Sequence, residues 1–217
     1  MQDLIMQERF ELEVLDRLNS GKFLSHIVFG GGTMLRLCHN LNRFSVNLDF
    51  WVVKKLKPKF FDDMKAYLAK HYDIKDSAKK FHTLLFELRS HAYPGSLKLE
   101  IRRQTKNIHV EQLIAYSKYA NTQVFLRAVS LSDMMASKIE AFQDRYEIRD
   151  VFDMEFLIKK GVPLEASNDT RKEVLRRINA FSRKDYTVRL GSLLEKEQRR
   201  YYFAENFKIL KETLKST

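Results

Sequence analysis

The sequence predicts an α+β chain, on three observations. Apolar runs with strand-like alternation recur between helical stretches up to about residue 130. After Ser130 only 3.6-residue periodicity is found. At 217 residues the length suits one large domain or two small lobes, with enough chain to bury a core.

The elements follow in order. Leu4 to Asn19 reads as an amphipathic helix with Ile5, Leu12 and Leu15 on one side, closed by Ser20-Gly21. Phe23 to Phe29 is a predicted strand, and after three glycines Thr33 to His39 is a short helix. Leu48 to Val53 is a compact apolar strand. Pro58 opens a helix to about His71, because a proline in the first turn gives up no helical hydrogen bond. Thr83 to Leu88 and Leu97 to Ile101, separated by Pro94-Gly95, predict a hairpin. Gln123 to Val129 is a further strand. Ser132 is placed to cap a helix whose Met135, Ile139 and Phe142 share a face. Helices are then expected from Arg149 to Lys160, stopped by Gly161-Val162-Pro163, and from Arg171 to Phe181. A last one carries Phe203, Phe207, Leu210 and Leu214.

Composition narrows the setting. Hydrophobic residues make up 44% and charged residues 31%, as in a soluble globular protein. The single cysteine, Cys38, forms no intrachain disulfide and reads as a small core residue. Asp3 and Glu8 in the first turns argue against a signal peptide, and no apolar run is long enough to span a membrane. A cytoplasmic protein without membrane partners is expected. The net charge is +11, and the stretch from Arg171 to Thr217 holds 13 basic against 6 acidic residues, or +7 of it. Such a concentration is either the footprint of a polyanion or a solvated helical face.

The densest chemical signal is Gly30-Gly31-Gly32-Thr33-Met34-Leu35 followed by Arg43-Phe44-Ser45-Val46-Asn47-Leu48-Asp49-Phe50. A strand, a glycine turn and a helix let backbone N–H groups approach a phosphate. The run is neither a Walker A loop nor a dinucleotide fingerprint, and a triple glycine is often only a tight connection. Asn47 and Asp49 lie two apart on a strand and so face the same side. In Lys98-Leu99-Glu100-Ile101, Lys98 and Glu100 project together, either as a third acid for a metal site or as a cross-strand ion pair. Lys138, Ala141 and Arg145 form one helical stripe, and Asp150 and Asp153 share a face of the next helix behind Arg149. The six histidines show no i,i+4 pair, a lone cysteine excludes a zinc finger, and no serine-hydrolase elbow is present.

Four of these pieces, in this order, resemble the AbiEii/AbiGii toxin family of nucleotidyltransferases, part of the DNA polymerase β-like superfamily. They are Gly31-Gly32-Thr33-Met34-Leu35 with Arg43-Phe44-Ser45-Val46-Asn47-Leu48-Asp49-Phe50; Lys98-Leu99-Glu100-Ile101; Lys138-Ile139-Glu140-Ala141 through Arg145; and Arg149-Asp150-Val151-Phe152-Asp153. The resemblance implies a nucleotidyltransferase-like mixed sheet flanked by helices over residues 1–130 and a basic helical domain over 131–217. It implies transfer of a nucleoside monophosphate from an NTP to an RNA 3′ end, such as that of a tRNA, with Mg²⁺ or Mn²⁺. Gly31, Gly32, Thr33, Arg43, Ser45 and Lys138 would then hold the nucleotide. Asp49, Asn47 and Glu100 would hold the metal. Asp49, Asn47, Lys138 and Asp150 would be the catalytic set, Asp150 orienting Lys138 or the attacking hydroxyl. A cognate antitoxin encoded nearby is the implied partner.

One residue departs from the pattern. Asn47 stands where the family has its first aspartate, and an amide binds a hard cation less well than a carboxylate. Two other readings therefore accompany the first: a relative that binds nucleotide or RNA without transfer, and nucleotidyl transfer to a small molecule or a protein hydroxyl.

Overall fold

The computed structural model describes residues 1–216. Its contacts divide the chain into two compact units, Met1–Ser130 and the remainder from Leu131.

The first unit is built on one mixed seven-stranded sheet. Helix α1 (Gln2–Ser20) leads through a short 3₁₀ turn (Phe23–Ser25) into β1 (Val28–Gly30) and α2 (Gly31–His39). Then come β2 (Asn47–Val52), α3 (Phe60–Leu68), β3 (Asp73–Lys79), β4 (Thr83–Arg89), β5 (Ser96–Thr105), β6 (Val110–Ala115) and β7 (Val124–Val129). The spatial order is β3-β4-β5-β2-β1-β7-β6. The central strand β2 pairs in parallel with β5 and antiparallel with β1, and β1 runs parallel to β7. β4 and β5 pair antiparallel, as the alternation of their sequences predicts.

Period-two alternation divides the central strands into two faces. Leu48, Phe50, Leu99 and Ile101 are fully buried, with Phe86 beside them. Phe61 of α3 stacks on Phe86 at 4.8 Å, so this helix covers the apolar side. Asn47, Asp49, Lys98 and Glu100 take the intervening positions and are half-buried or exposed. Two polar residues on a core strand are thus tolerated because they sit opposite the core.

The second unit contains α4 (Leu131–Arg145), α5 (Ile148–Lys159), α6 (Asn168–Asn179), a π-helical turn (Asp185–Leu190), α7 (Lys196–Glu205) and α8 (Lys208–Lys215). Ser167 caps α6 by accepting the Thr170 backbone N–H at 3.2 Å.

Several boundaries differ from the sequence expectation. The strand expected from Phe23 begins only at Val28, after the 3₁₀ turn over Phe23–Ser25, and α2 begins within the glycine run, two residues before Thr33. β3 and β6 carry charged or polar residues on an edge of the sheet and lack the apolar alternation that marks the inner strands. The single helix expected through Phe203, Phe207, Leu210 and Leu214 is two, because Asn206 and Phe207 adopt left-handed backbone with φ of 47° and 55°. The break lets Phe207, Leu210 and Leu214 all point inward at its second half.

The C-terminal arginines are also less available than their charge suggested. Arg171 donates to the carbonyls of Leu164, Ala166, Thr213 and Ser216. Arg177 donates to Gln143 at 2.6 Å and to Glu173, which also receives two bonds from Arg176. These side chains join helix ends, so part of the basic excess is structural.

Candidate active site

The site of the first unit starts from strand register. Asp49 is paired with Glu100 across the parallel β2–β5 ladder and with Gly30 across the antiparallel β1–β2 ladder. Neighbouring strands lie about 5 Å apart. Two carboxylates from different strands are therefore adjacent on one face, with a glycine on the other side of Asp49. Asn47, two residues earlier, is paired with Lys98. Arg102, two residues beyond Glu100, lies over the Trp51 ring at 5.7 Å. Glu100 is thus flanked along its strand by two cations, the ion-pair alternative raised by the sequence, while its register keeps it beside Asp49.

The glycines close around this pair. Gly31 has φ +75°, and a Cβ there would come 2.4 Å from Asp49 Oδ2. A Cβ on Gly32 would come 2.4 Å from Arg43 Nη2 and 3.0 Å from Ser45 Oγ. Both glycines are needed so that a carboxylate, a guanidinium and a hydroxyl can pack against the first turn of α2. That turn presents backbone N–H groups without intrahelical partners.

Two predicted nucleotide ligands have structural duties here. Thr33 is fully buried, and its hydroxyl donates to the Asn47 carbonyl at 2.5 Å. It fastens α2 to the start of β2, leaving its hydroxyl committed. Arg43 is 3% exposed and donates from Nη1 to the Phe44 carbonyl at 2.9 Å. Gln7 of α1, which the sequence did not single out, reaches the carbonyls of Val46 at 3.4 Å and Ser96 at 3.5 Å. A cleft of about 450 Å³ opens there, lined among others by Gln7, Asn47, Ser96 and Lys98.

The second unit holds a separate charge cluster. Lys138 Nζ lies 3.1 Å from Asp150 Oδ1 and 2.6 Å from Asp153 Oδ2. Arg145 clamps Asp150 with Nε at 2.8 Å and Nη2 at 2.7 Å. Both aspartates are fully buried and Lys138 nearly so. Burial pushes the Asp150 carboxyl up, but the charges and hydrogen bonds of Lys138 and Arg145 outweigh it and hold the group below its ordinary value. Asp153 and Arg145 belong to this cluster without a functional role in the sequence reading, although each closes one of the motifs that carry the family resemblance.

Donor chemistry tests whether a divalent cation suits the first site. Asp49 and Glu100 offer carboxylate oxygens and Asn47 an amide oxygen, a set fit for a hard cation that also takes substrate phosphates. Among the described residues no three His, Cys, Asp or Glu side chains gather to hold a metal by themselves. Position 47 carries an amide where a third carboxylate would stand.

A mixed sheet with a glycine turn into a helix, and acidic residues on adjacent strands, is the arrangement of a nucleotidyltransferase. Residues 13–214 match the family model described as nucleotidyl transferase AbiEii toxin, type IV toxin–antitoxin system. The chain belongs to this family and is a nucleotidyltransferase by family and fold. Among solved structures it is similar to MenT4, a nucleotidyltransferase toxin from Mycobacterium tuberculosis, with a TM-score of 0.64 and 15% identity over 99% of this chain and 85% of that one. It is also similar to JHP933 from Helicobacter pylori, with a TM-score of 0.52 and 20% identity over 94% of this chain and 92% of that one. At such identities the likeness is one of fold. No curated protein matches the sequence. Among the described residues no helix is long and apolar enough to cross a membrane.

Proposed function

We propose that this chain transfers a nucleoside monophosphate from an NTP to the 3′ end of an RNA, a tRNA being the acceptor class, as the toxin of a type IV toxin–antitoxin pair. The observation that carries the reading is the register of Asp49 with Glu100 beside the Gly31–Gly32 turn. Asp49, Glu100 and the Asn47 amide would hold Mg²⁺ or Mn²⁺, which supplies charge neutralisation at the triphosphate. Gly31 and Gly32 bring the Asp49 carboxylate, the Arg43 guanidinium and the Ser45 hydroxyl close against the first turn of α2, whose N–H groups would meet the phosphates. The cleft beside Asn47 offers space for part of the bound substrate. The RNA 3′ oxygen bonds to the α-phosphorus, the bond to the pyrophosphate oxygen breaks, and the hydroxyl proton is released.

Lys138 and Asp150 enter this reading on family resemblance, Lys138 neutralising phosphate charge and Asp150 orienting it. The 3.1 Å contact between them supports the orienting role. Incubation with labelled NTPs, Mg²⁺ and total tRNA tests the proposal. Labelled tRNA from the chain or from Asn47→Asp supports it, and no labelled RNA from either sinks it.

Asn47 favours a second reading, a nucleotide- and RNA-binding relative without transfer. It expects NTP binding to survive EDTA in calorimetry, whereas strict Mg²⁺ dependence argues for the first. Running the labelled-NTP assay on cell lysate separates RNA from a small-molecule or protein hydroxyl as acceptor.

A further inference from the structure

Away from the Asp49–Glu100 pair, the first unit carries a second concentration of positive charge. The loop leaving β2 places Lys54, Lys55, Lys57 and Lys59 within six residues. Across from it stands the tip of the β3–β4 hairpin, Lys80-Phe81-His82. Arg103 braces this tip: its Nη1 donates to the Lys80 carbonyl at 2.7 Å and to the Phe81 carbonyl at 3.2 Å. The brace holds Phe81 outward, 84% exposed, with the His82 ring edge-on at 4.5 Å. Among the described large apolar side chains Phe81 is the most exposed, and it is held there by a built contact and not by a loose loop.

Between loop and hairpin lies a cleft of about 720 Å³. Lys55, Lys57, Lys79 and Arg103 line it together with Phe81 and His82, and none of its lining residues is acidic. A neighbouring cleft of about 540 Å³ shares Lys55 and Lys57 and adds Lys22, Lys54 and Arg127 against one acid, Asp63. The basic surface is therefore continuous across both.

We infer that this cleft binds single-stranded nucleic acid, a base stacking on Phe81 and the phosphates lying along Lys55, Lys57, Lys79 and Arg103. Cations along a groove with an exposed aromatic ring are what a sequence-tolerant single-strand site requires. A duplex keeps its bases stacked on one another and offers no free face to Phe81. A membrane surface would be met by a protruding apolar array, whereas here the apolar lining of Leu56, Phe60, Phe61 and Leu84 is recessed in a cleft that Lys55, Lys57, Lys79 and Arg103 also line. Glu100 and Arg102 share one face of β5, whereas Arg103, an odd number of residues from Glu100, belongs by alternation to the other, the side that Phe61 of α3 covers, so this cleft is apart from the Asp49–Glu100 pair. Binding here does not require transfer, so the inference stands apart from the proposed reaction.

Fluorescence anisotropy of the full chain with a labelled oligouridylate of about twelve nucleotides tests it. Phe81→Ala is expected to weaken binding by about tenfold and Phe81→Trp to retain it. Lys55→Gln with Lys57→Gln should lower affinity and reduce the slope of log K against log salt by about 1.4. Melting curves matching the parent show that these surface variants fold. The inference is overturned if Phe81→Ala and the double lysine variant bind like the parent. Displacement by polyglutamate or by phosphatidylserine vesicles as effective as by unlabelled RNA overturns it too. Loss of tRNA labelling with oligouridylate binding intact would count against the transfer reading alone.

Discussion

Gly31 and Asp49 pack so closely that a methyl group on the glycine would stand 2.4 Å from the carboxylate oxygen Oδ2. The contact explains why a glycine run precedes α2. The chain turns there with φ +75°, and the acid of the neighbouring strand occupies the space a side chain would fill.

Gly31→Ala should therefore fail twice, through the left-handed backbone and through the collision. A loss of about 2–3 kcal/mol in urea unfolding of the full chain is expected, with disappearance of nucleotide-dependent stabilisation. Gly161 also has a positive φ, +83°, but nothing within 4 Å of its Cβ position. Gly161→Ala should lose only about 1 kcal/mol. Equal effects at the two positions would mean that the Asp49 contact adds nothing.

Asn47→Asp places two carboxylates two apart on one face of β2 and opposite the Glu100 strand. Like charges repel without a cation, so the variant should melt below the parent in EDTA and above it in millimolar Mg²⁺. Melting curves across a Mg²⁺ titration read this directly. Equal metal-induced shifts in the two proteins would remove residue 47 from the site.

Lys138→Met leaves Asp153 buried beside an apolar side chain and Asp150 with Arg145 alone. Removing one partner from a buried ion cluster is expected to cost about 3 kcal/mol. The pH dependence has a definite sign. Asp150 is held below its ordinary value, so it contributes stability above the pKa of the unfolded chain that is lost as pH falls through the folded value. Acid titration followed by circular dichroism should show a smaller loss of stability in Asp150→Asn than in the parent, measured relative to each protein's stability at pH 7.

Glu11 behaves in the opposite way. It is 1% exposed on α1, its Oε1 has no hydrogen-bond partner among the described residues, and burial together with nearby Glu8 raises its carboxyl well above the ordinary value. The unfolded chain releases this proton first, so stability declines as pH rises from the ordinary value toward the folded one. Glu11→Gln should be the more stable protein at pH 8 by about 1 kcal/mol, with the gap narrowing at pH 5. Urea midpoints at the two pH values decide it.

Much of this architecture is visible in the residues because it depends on local pattern. Leu48, Phe50, Leu99 and Ile101 alternate with Asn47, Asp49, Lys98 and Glu100, and period two alone sends the two sets to opposite faces. The charged edge strands β3 and β6 escaped notice because an edge needs no continuous apolar face. The break at Asn206-Phe207 escaped because its helix-like spacing continues across the turn. The resemblance offers Thr33 as a nucleotide ligand; that its hydroxyl also fastens α2 to the Asn47 carbonyl has no trace in a one-dimensional motif.

By itself the sequence determined the α+β class, the faces of the central strands, the family and the set of chemical groups, including the amide at position 47. Each depends on residue identity and spacing of a few positions. Only tertiary structure decided that Asp49 lies between Glu100 and Gly30, that Arg145 rather than solvent completes the shell of Asp150, and that Arg103 holds Phe81 outward over a basic cleft. Those relations join residues brought together by strand register and helix packing, free energies that belong to the folded chain as a whole.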